Sequence, residues 1–184
     1  MLLDIGLSLI YVKVFAEIFS VELSGLYVAL SVFFGLLPDI DTPIELLQRG
    51  RIGGKVQGFH RELTHYPLLY IPLIIFAYFY FGIFWFSLLT INIVSHFIHN
   101  SVWTGWGIKW LAPFSQMRYK FFADSNDGEP STNFVARWTP QELEKVSAEF
   151  GNDNWFKEQY LSLSPILLTD LAVLLIGIAV LLLL

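Results

Sequence analysis

Two polar islands in a strongly apolar chain hold residues whose types and spacing suit metal chemistry. The first runs Leu37-Pro38-Asp39-Ile40-Asp41-Thr42-Pro43 and continues at His60-Arg61-Glu62-Leu63-Thr64-His65. The second is Ser95-His96-Phe97-Ile98-His99-Asn100. All four histidines of the chain fall in these islands. Each sits beside a predicted membrane span, where an ionisable side chain is costly and marks function. The chain has no cysteine, so disulfides and thiolate ligation are excluded. Imidazole, carboxylate, amide and water ligands suit zinc, manganese, iron or magnesium. Asp39, Asp41, His60, His65, His96 and His99 are expected to converge on one divalent-metal site, with zinc in first place and manganese or iron as alternatives.

Local geometry constrains each candidate. Asn92, His96, His99 and Asn100 fall at i, i+4, i+7 and i+8 and share one stripe of a helix. Such a stripe must face protein, water or metal rather than lipid, so it either binds metal or hydrogen-bonds between helices. Asp39 and Asp41 point the same way if their backbone is extended, and Pro38 and Pro43 discourage helix there. The two carboxylates then aim at one cation or a bridged pair; otherwise they cap a loop at the membrane surface. His60 and His65 lie five apart, about 140° around a regular helix. Both ligate only if their segment is irregular, as Gly58 and Pro67 allow, or if they serve two metals. Arg61 offers a planar fork for phosphate or carboxylate, or a positive anchor at the membrane surface. Glu62 reads as a base, a partner to a ligand, or a solvated surface acid. Asp170 either orients a histidine or sits at the membrane interface.

The elements that must position these groups are membrane helices. Hydrophobic residues make up 55% of the 184 and charged residues 15%, and several runs approach the ~20 apolar residues a spanning helix needs. The expected fold is all-α, a polytopic membrane protein of about four to five transmembrane helices with a small helical cytoplasmic cap. Residues 1–102 form the helical core with the metal motifs, 103–161 a polar cap packed on it, and 162–184 a C-terminal span. Within the core, 2–19 reads as a span (or an interfacial helix) with Lys13 and Glu17 paired. Residues 21–37 form a second helix ended by Pro38, across a soft boundary near Ser20. Residues 38–66 are a polar loop whose Arg49, Arg51, Lys55 and Arg61 place it on the cytoplasmic side. Residues 67–82 and 83–102 form a hairpin broken near Gly82, which returns His96 and His99 to that side. In the cap, Thr139-Pro140-Gln141-Glu142 reads as a helix start, with a stop near Gly151 and a short helix at Trp155–Leu161. The net charge of −5 and the lack of a basic, aromatic-interleaved patch argue against nucleic-acid binding. The N-terminal segment is a poor cleavable signal and is expected to be retained.

Leu37-Pro38-Asp39-Ile40-Asp41, then His60-Arg61-x-x-Thr64-His65, then Ser95-His96 with a Gly105 or Gly107 to Pro113 stretch, resembles the family of membrane-bound metal-dependent hydrolases. That family includes LexA-regulated inner-membrane hydrolases and is distantly similar to the zinc-dependent phospholipase C and nuclease group. The resemblance covers roughly residues 35–115. It implies a metal-dependent hydrolase of the inner membrane, multi-pass, with its active site near the cytoplasmic face and Asp39, Asp41, His60, His65 and His96 at the matching positions. Asn100 stands where the family commonly has an acid, with His99 able to compensate, and Glu62 stands where it tends to have a small residue. The expected reaction is hydrolysis of a phosphoester of a lipid or other amphiphile by metal-activated water. Asp39 and Asp41 hold or bridge metal, Asn100 is a candidate further ligand, Arg61 clamps phosphate, and His99 protonates the leaving group. The expected partners are membrane lipids and the amphiphilic substrate. The rival readings are a non-catalytic metal- or haem-binding membrane protein and a metal transporter. Neither a His-Glu-x-x-His nor a Gly-x-Ser-x-Gly pattern is present.

Overall fold

A computed structural model describes residues 1–102, 105–122 and 134–183. Trp103, Thr104 and residues 123–133 of the expected cap lie outside the described residues, as does Leu184 at the end of the expected last span. The chain is mostly helical, as expected. Eight α-helices follow one another among the described residues: α1 Leu2–Ile18, α2 Gly25–Leu36, α3 Thr42–Arg49, α4 Pro67–Phe81, α5 Ile83–Val102, α6 Pro140–Phe150, α7 Trp155–Tyr160 and α8 Pro165–Leu183. Two strands, β1 Arg118–Phe121 and β2 Val135–Trp138, lie between α5 and α6. Three helical runs are long and apolar enough to cross a membrane: Gly25–Arg49, Ile83–Val102 and Pro165–Leu183. The apolar α4 is shorter. α1, at 17 residues with Asp4, Lys13 and Glu17 inside it, is not among the three.

The chain divides into two compact units. The first comprises Met1–Leu37, Tyr70–His96 and Gln159–Leu184. Here α1 and α2 are separate helices forming a hairpin: Ser20 adopts a left-handed φ of 54° and Ser24 caps α2. α1 packs against both α2 and α8. Where α1 meets α8, a Cβ on Gly6 or on Gly177 would overlap the other helix's backbone, so the two helices approach as closely as small residues permit. Val12, Phe84 and Leu88 centre an aromatic-rich core with Phe15, Tyr27 and Trp85. Lys13 and Glu17 pair at 3.0 Å. Gly82, with φ 81°, separates α4 from α5 as the sequence suggests.

The second unit comprises Pro38–Leu69 and Phe97–Glu158. Pro38 does not end the helical run. Leu37–Asp41 continues it as a 3₁₀ turn, and α3 follows with Pro43 in its first turn and Gly50 closing it in the left-handed conformation. The expectation of extended backbone at Asp39-Ile40-Asp41 is therefore corrected: Pro43 stands in the first turn of α3, where it lacks only an N–H that would have no partner, and the backbone at Pro38 tightens to 3₁₀. In the cap region β1 and β2 form an antiparallel pair, Arg118 opposite Trp138 and Phe121 opposite Val135. The sequence does not announce these strands, because the buried alternate positions of β1 are Arg118 and Lys120, so the period-two signal is carried by charge rather than apolarity. α6 begins with the expected capping box between Thr139 and Glu142 and ends at Gly151. The Trp155 indole donates to the Ile52 carbonyl at 2.5 Å. Asp153 accepts from the Lys55 N–H and pairs with Arg51, both at 2.8 Å. These contacts fix the loop that leads into the first histidine.

Candidate metal centre

The second unit gathers two carboxylates and two imidazoles. Asp41 Oδ1 lies 2.9 Å from His60 Nδ1. Asp39 Oδ1 lies 3.7 Å from His60 Nε2 and 3.4 Å from His65 Nε2. The His60 ring thus stands between the two acids, and the His60 and His65 rings meet edge to face with centroids 4.9 Å apart. One ligand atom from each of Asp41, His60 and His65 lies within 4.8 Å of the other two. Asp41 and His65 are buried, while Asp39 and His60 are half-buried.

Irregular backbone brings the histidines together. Arg61, between them, has a left-handed φ of 65°, a conformation costing a non-glycine residue roughly 1–2 kcal/mol. Leu63–His65 then forms a 3₁₀ turn. This is the irregular segment the five-residue spacing requires. Asp39 and Asp41 lie on a 3₁₀ turn rather than an extended strand, so they reach opposite nitrogens of one ring instead of pointing in parallel.

Three side chains to which the sequence reading gives no role hold this arrangement. Glu45 is fully buried on α3. It accepts the His60 backbone N–H through Oε2, and through Oε1 pairs with Arg49 at 2.6 Å. Arg49 in turn donates to the Val56 carbonyl at 2.7 Å. Thr64 donates its hydroxyl to Asp41 Oδ2 at 2.8 Å and lies 3.2 Å from His65 Nδ1. Thr42 Oγ1 is 3.2 Å from His60 Nδ1. Glu45 is legible in the sequence only as an acid four residues before Arg49; nothing local links it to His60.

The donor set fits a divalent cation. Two ligands bound about 2.1 Å from a tetrahedral zinc sit about 3.4 Å apart, which is the separation of Asp39 Oδ1 from His65 Nε2, while His60 can offer one ion only one of its two ring nitrogens. Mixed imidazole and carboxylate donors suit zinc, manganese or iron.

Two further expected site residues, Arg61 and Asn100, meet each other in the second unit. Arg61 donates through Nη2 to the Asn100 amide oxygen at 2.9 Å, so Asn100 orients the guanidinium. A Cβ on Gly105 would overlap that guanidinium. His99 is half-buried on α5 and is outside the groups whose donor atoms converge. Glu62 is not a solvated acid. It meets Lys109 Nζ at 2.5 Å, Arg118 Nη2 at 2.6 Å and the Tyr66 hydroxyl at 3.0 Å. Burial pushes the Glu62 carboxyl up, but the Lys109 hydrogen bond and the charges of Arg118 and Lys109 outweigh it and hold the group below its usual value. Burial and the neighbouring Glu62 raise the Tyr66 phenol to about 12.

His96 belongs to the first unit and is 1% exposed. Its Nδ1 lies 3.0 Å from the Gly35 carbonyl and 3.3 Å from Asp4 Oδ1. Asp4 is thus a carboxylate shown against this ring. Asn92, one turn earlier, bonds Ser8 at 2.6 Å and Ser31 at 3.2 Å, so that part of the stripe joins α1, α2 and α5.

No curated protein and no solved structure matches the chain. One family model does, over residues 5–181 and so across both polar islands, and the chain accordingly belongs to the YdjM inner membrane protein family.

Proposed function

We propose that this chain is a multi-pass, membrane-embedded metal-dependent hydrolase acting on a phosphoester of a lipid or similar amphiphile near the cytoplasmic face. The observation that carries the reading is the convergence of Asp41, His60 and His65 donors within 4.8 Å, with Asp39 beside both rings. Asp41, His60 and His65 would hold the ion, with Asp39, beside His65, a further carboxylate for it or for a second ion. A divalent metal held there would supply a nucleophile near neutral pH, by lowering the pKa of water from 15.7 towards ~7.

The chain's own groups account for the rest. His96 Nδ1 lies against the Gly35 carbonyl and the Asp4 carboxylate, both acceptors, so that nitrogen carries a proton. Residue type and the match to the motif carry His96 as a further ligand. Arg61, oriented by Asn100, presents a fork suited to a phosphate. His99 serves as a proton donor to the leaving group rather than as a ligand. The hard oxygen donors favour this reading over haem binding.

Activity tests it. Detergent-solubilised protein screened against soluble and short-chain lipid phosphoesters should release product only with divalent metal, and Asp41→Asn should remove about 100-fold or more of that rate. Metal-loaded, folded protein without turnover on any phosphoester would leave a metal-binding or transport role.

A further inference from the structure

A cavity of about 350 Å³ opens within the second unit, between the Lys55–Gln57 stretch, β1, and the first turns of α6. Lys109 and Arg118 line it, and at 8% and 3% exposed they are buried cations. Buried charge requires partners, and Glu62 meets both. That match is incomplete. The cavity lining carries Lys55, Lys109 and Arg118 against Glu62 and Glu144, which leaves one positive charge. Arg118 spends Nη1 on the Gly107 carbonyl at 3.2 Å and Nη2 on Glu62. Its Nε–H is buried with no hydrogen-bond partner among the described residues. An unmet buried donor costs about 1–3 kcal/mol, and it marks the Arg118 guanidinium as a cation whose partners do not use all of its donors. Lys109 has three donors, and Glu62 and the Gln116 amide oxygen at 2.9 Å take two. The N-terminal turn of α6, with its positive dipole end, lies along the same wall.

We propose that this cavity is an anion pocket that takes one singly charged oxyanion, a phosphate or carboxylate group, on Lys109 and Arg118. Glu62 sets its charge: it neutralises one of two buried cations and so selects a monoanion over a dianion. Glu62 also lies between His60 and His65 in sequence, so the pocket adjoins the loop that carries the metal-centre imidazoles. As the headgroup pocket of a phosphoesterase this inference rests on the reading above; as an anion site it does not.

The test is calorimetric titration of the full-length protein in detergent with a chelator present, so that a metal cannot compete for the probe. The probes are inorganic phosphate, dihexanoyl phosphatidylglycerol and the net-neutral dihexanoyl phosphatidylcholine. Saturable binding of phosphate or of the glycerol lipid is expected. A preference for that lipid over phosphate identifies a lipid headgroup as the occupant, and the reverse identifies a free anion. Glu62→Gln should tighten anion binding about tenfold and Lys109→Met should weaken it about tenfold. Because Lys109→Met removes a buried charge and risks misfolding, the gain in Glu62→Gln is decisive. Failure of both anions to bind, equal binding of phosphatidylcholine, or a folded Glu62→Gln that binds no tighter overturns the proposal. None of these results depends on metal content or turnover, so the hydrolase reading stands or falls separately.

Discussion

Glu45 has no exposed surface, and both its oxygens are engaged, one by the His60 backbone N–H and the other by Arg49. It stands outside the converging donor set, yet it decides where the His60 ring stands. Replacing it with glutamine turns one acceptor into a donor facing a donor, at a cost of about 1–3 kcal/mol. Residues that orient ligands are worth about ten- to a hundred-fold in metal affinity. Glu45→Gln is therefore expected to weaken zinc binding by that factor in a competition titration against a chromophoric chelator, while circular dichroism stays helical. Affinity equal to wild type would show that the His60 loop is held some other way. Residue types mark the ligands well: Asp39, Asp41, His60 and His65 are recognisable because ionisable groups are rare in so apolar a chain. Their supports are not. Glu45 stands 15 residues from His60 and Thr64 stands 23 from Asp41, and only the fold pairs them.

At the scale of elements, start and stop chemistry is the most readable layer. The Thr139–Glu142 box, the left-handed Gly82 between α4 and α5, and the glycine closing α6 all follow from local geometry. Proline is misleading at Pro38 and Pro43, since its effect depends on whether it falls in a first turn or an interior. Strand β1 escapes because its inward side chains are Arg118 and Lys120, whose placement is set by tertiary structure. The α6 cap makes a pH prediction. Hydrogen bonds from the Thr139 backbone and hydroxyl hold the Glu142 carboxyl below its usual 4.5. A depressed carboxylate stabilises the folded form above the unfolded value and loses that contribution as pH falls through its own lower value. Amide exchange in the first turn of α6 should therefore speed up, relative to the intrinsic rate, between about pH 5 and about pH 3. Thr139→Ala, which removes the hydroxyl but keeps the backbone N–H, should reduce the dependence and cost about 1 kcal/mol in α6 stability. Protection that ignores pH across that range would mean the box contributes nothing.

For the whole molecule, composition indicates a helical membrane protein, and the chain's place in an inner-membrane family agrees with it. The division into two units does not follow from composition, because each unit is assembled from separated stretches and the boundary cuts through α5 between His96 and Phe97. Asp39, Asp41, His60 and His65 all fall in one unit, although both aspartates ride on the span-length run Gly25–Arg49. Whether these four side chains bind one ion is tested most directly by metal content, measured by plasma mass spectrometry on purified, detergent-solubilised protein grown metal-replete. The expected result is about one zinc, manganese or iron per chain, lost in Asp41→Ala and in His60→Ala but retained in His99→Ala. Folded wild-type protein carrying no metal, or Asp41→Ala and His60→Ala variants that keep a full complement, would contradict it.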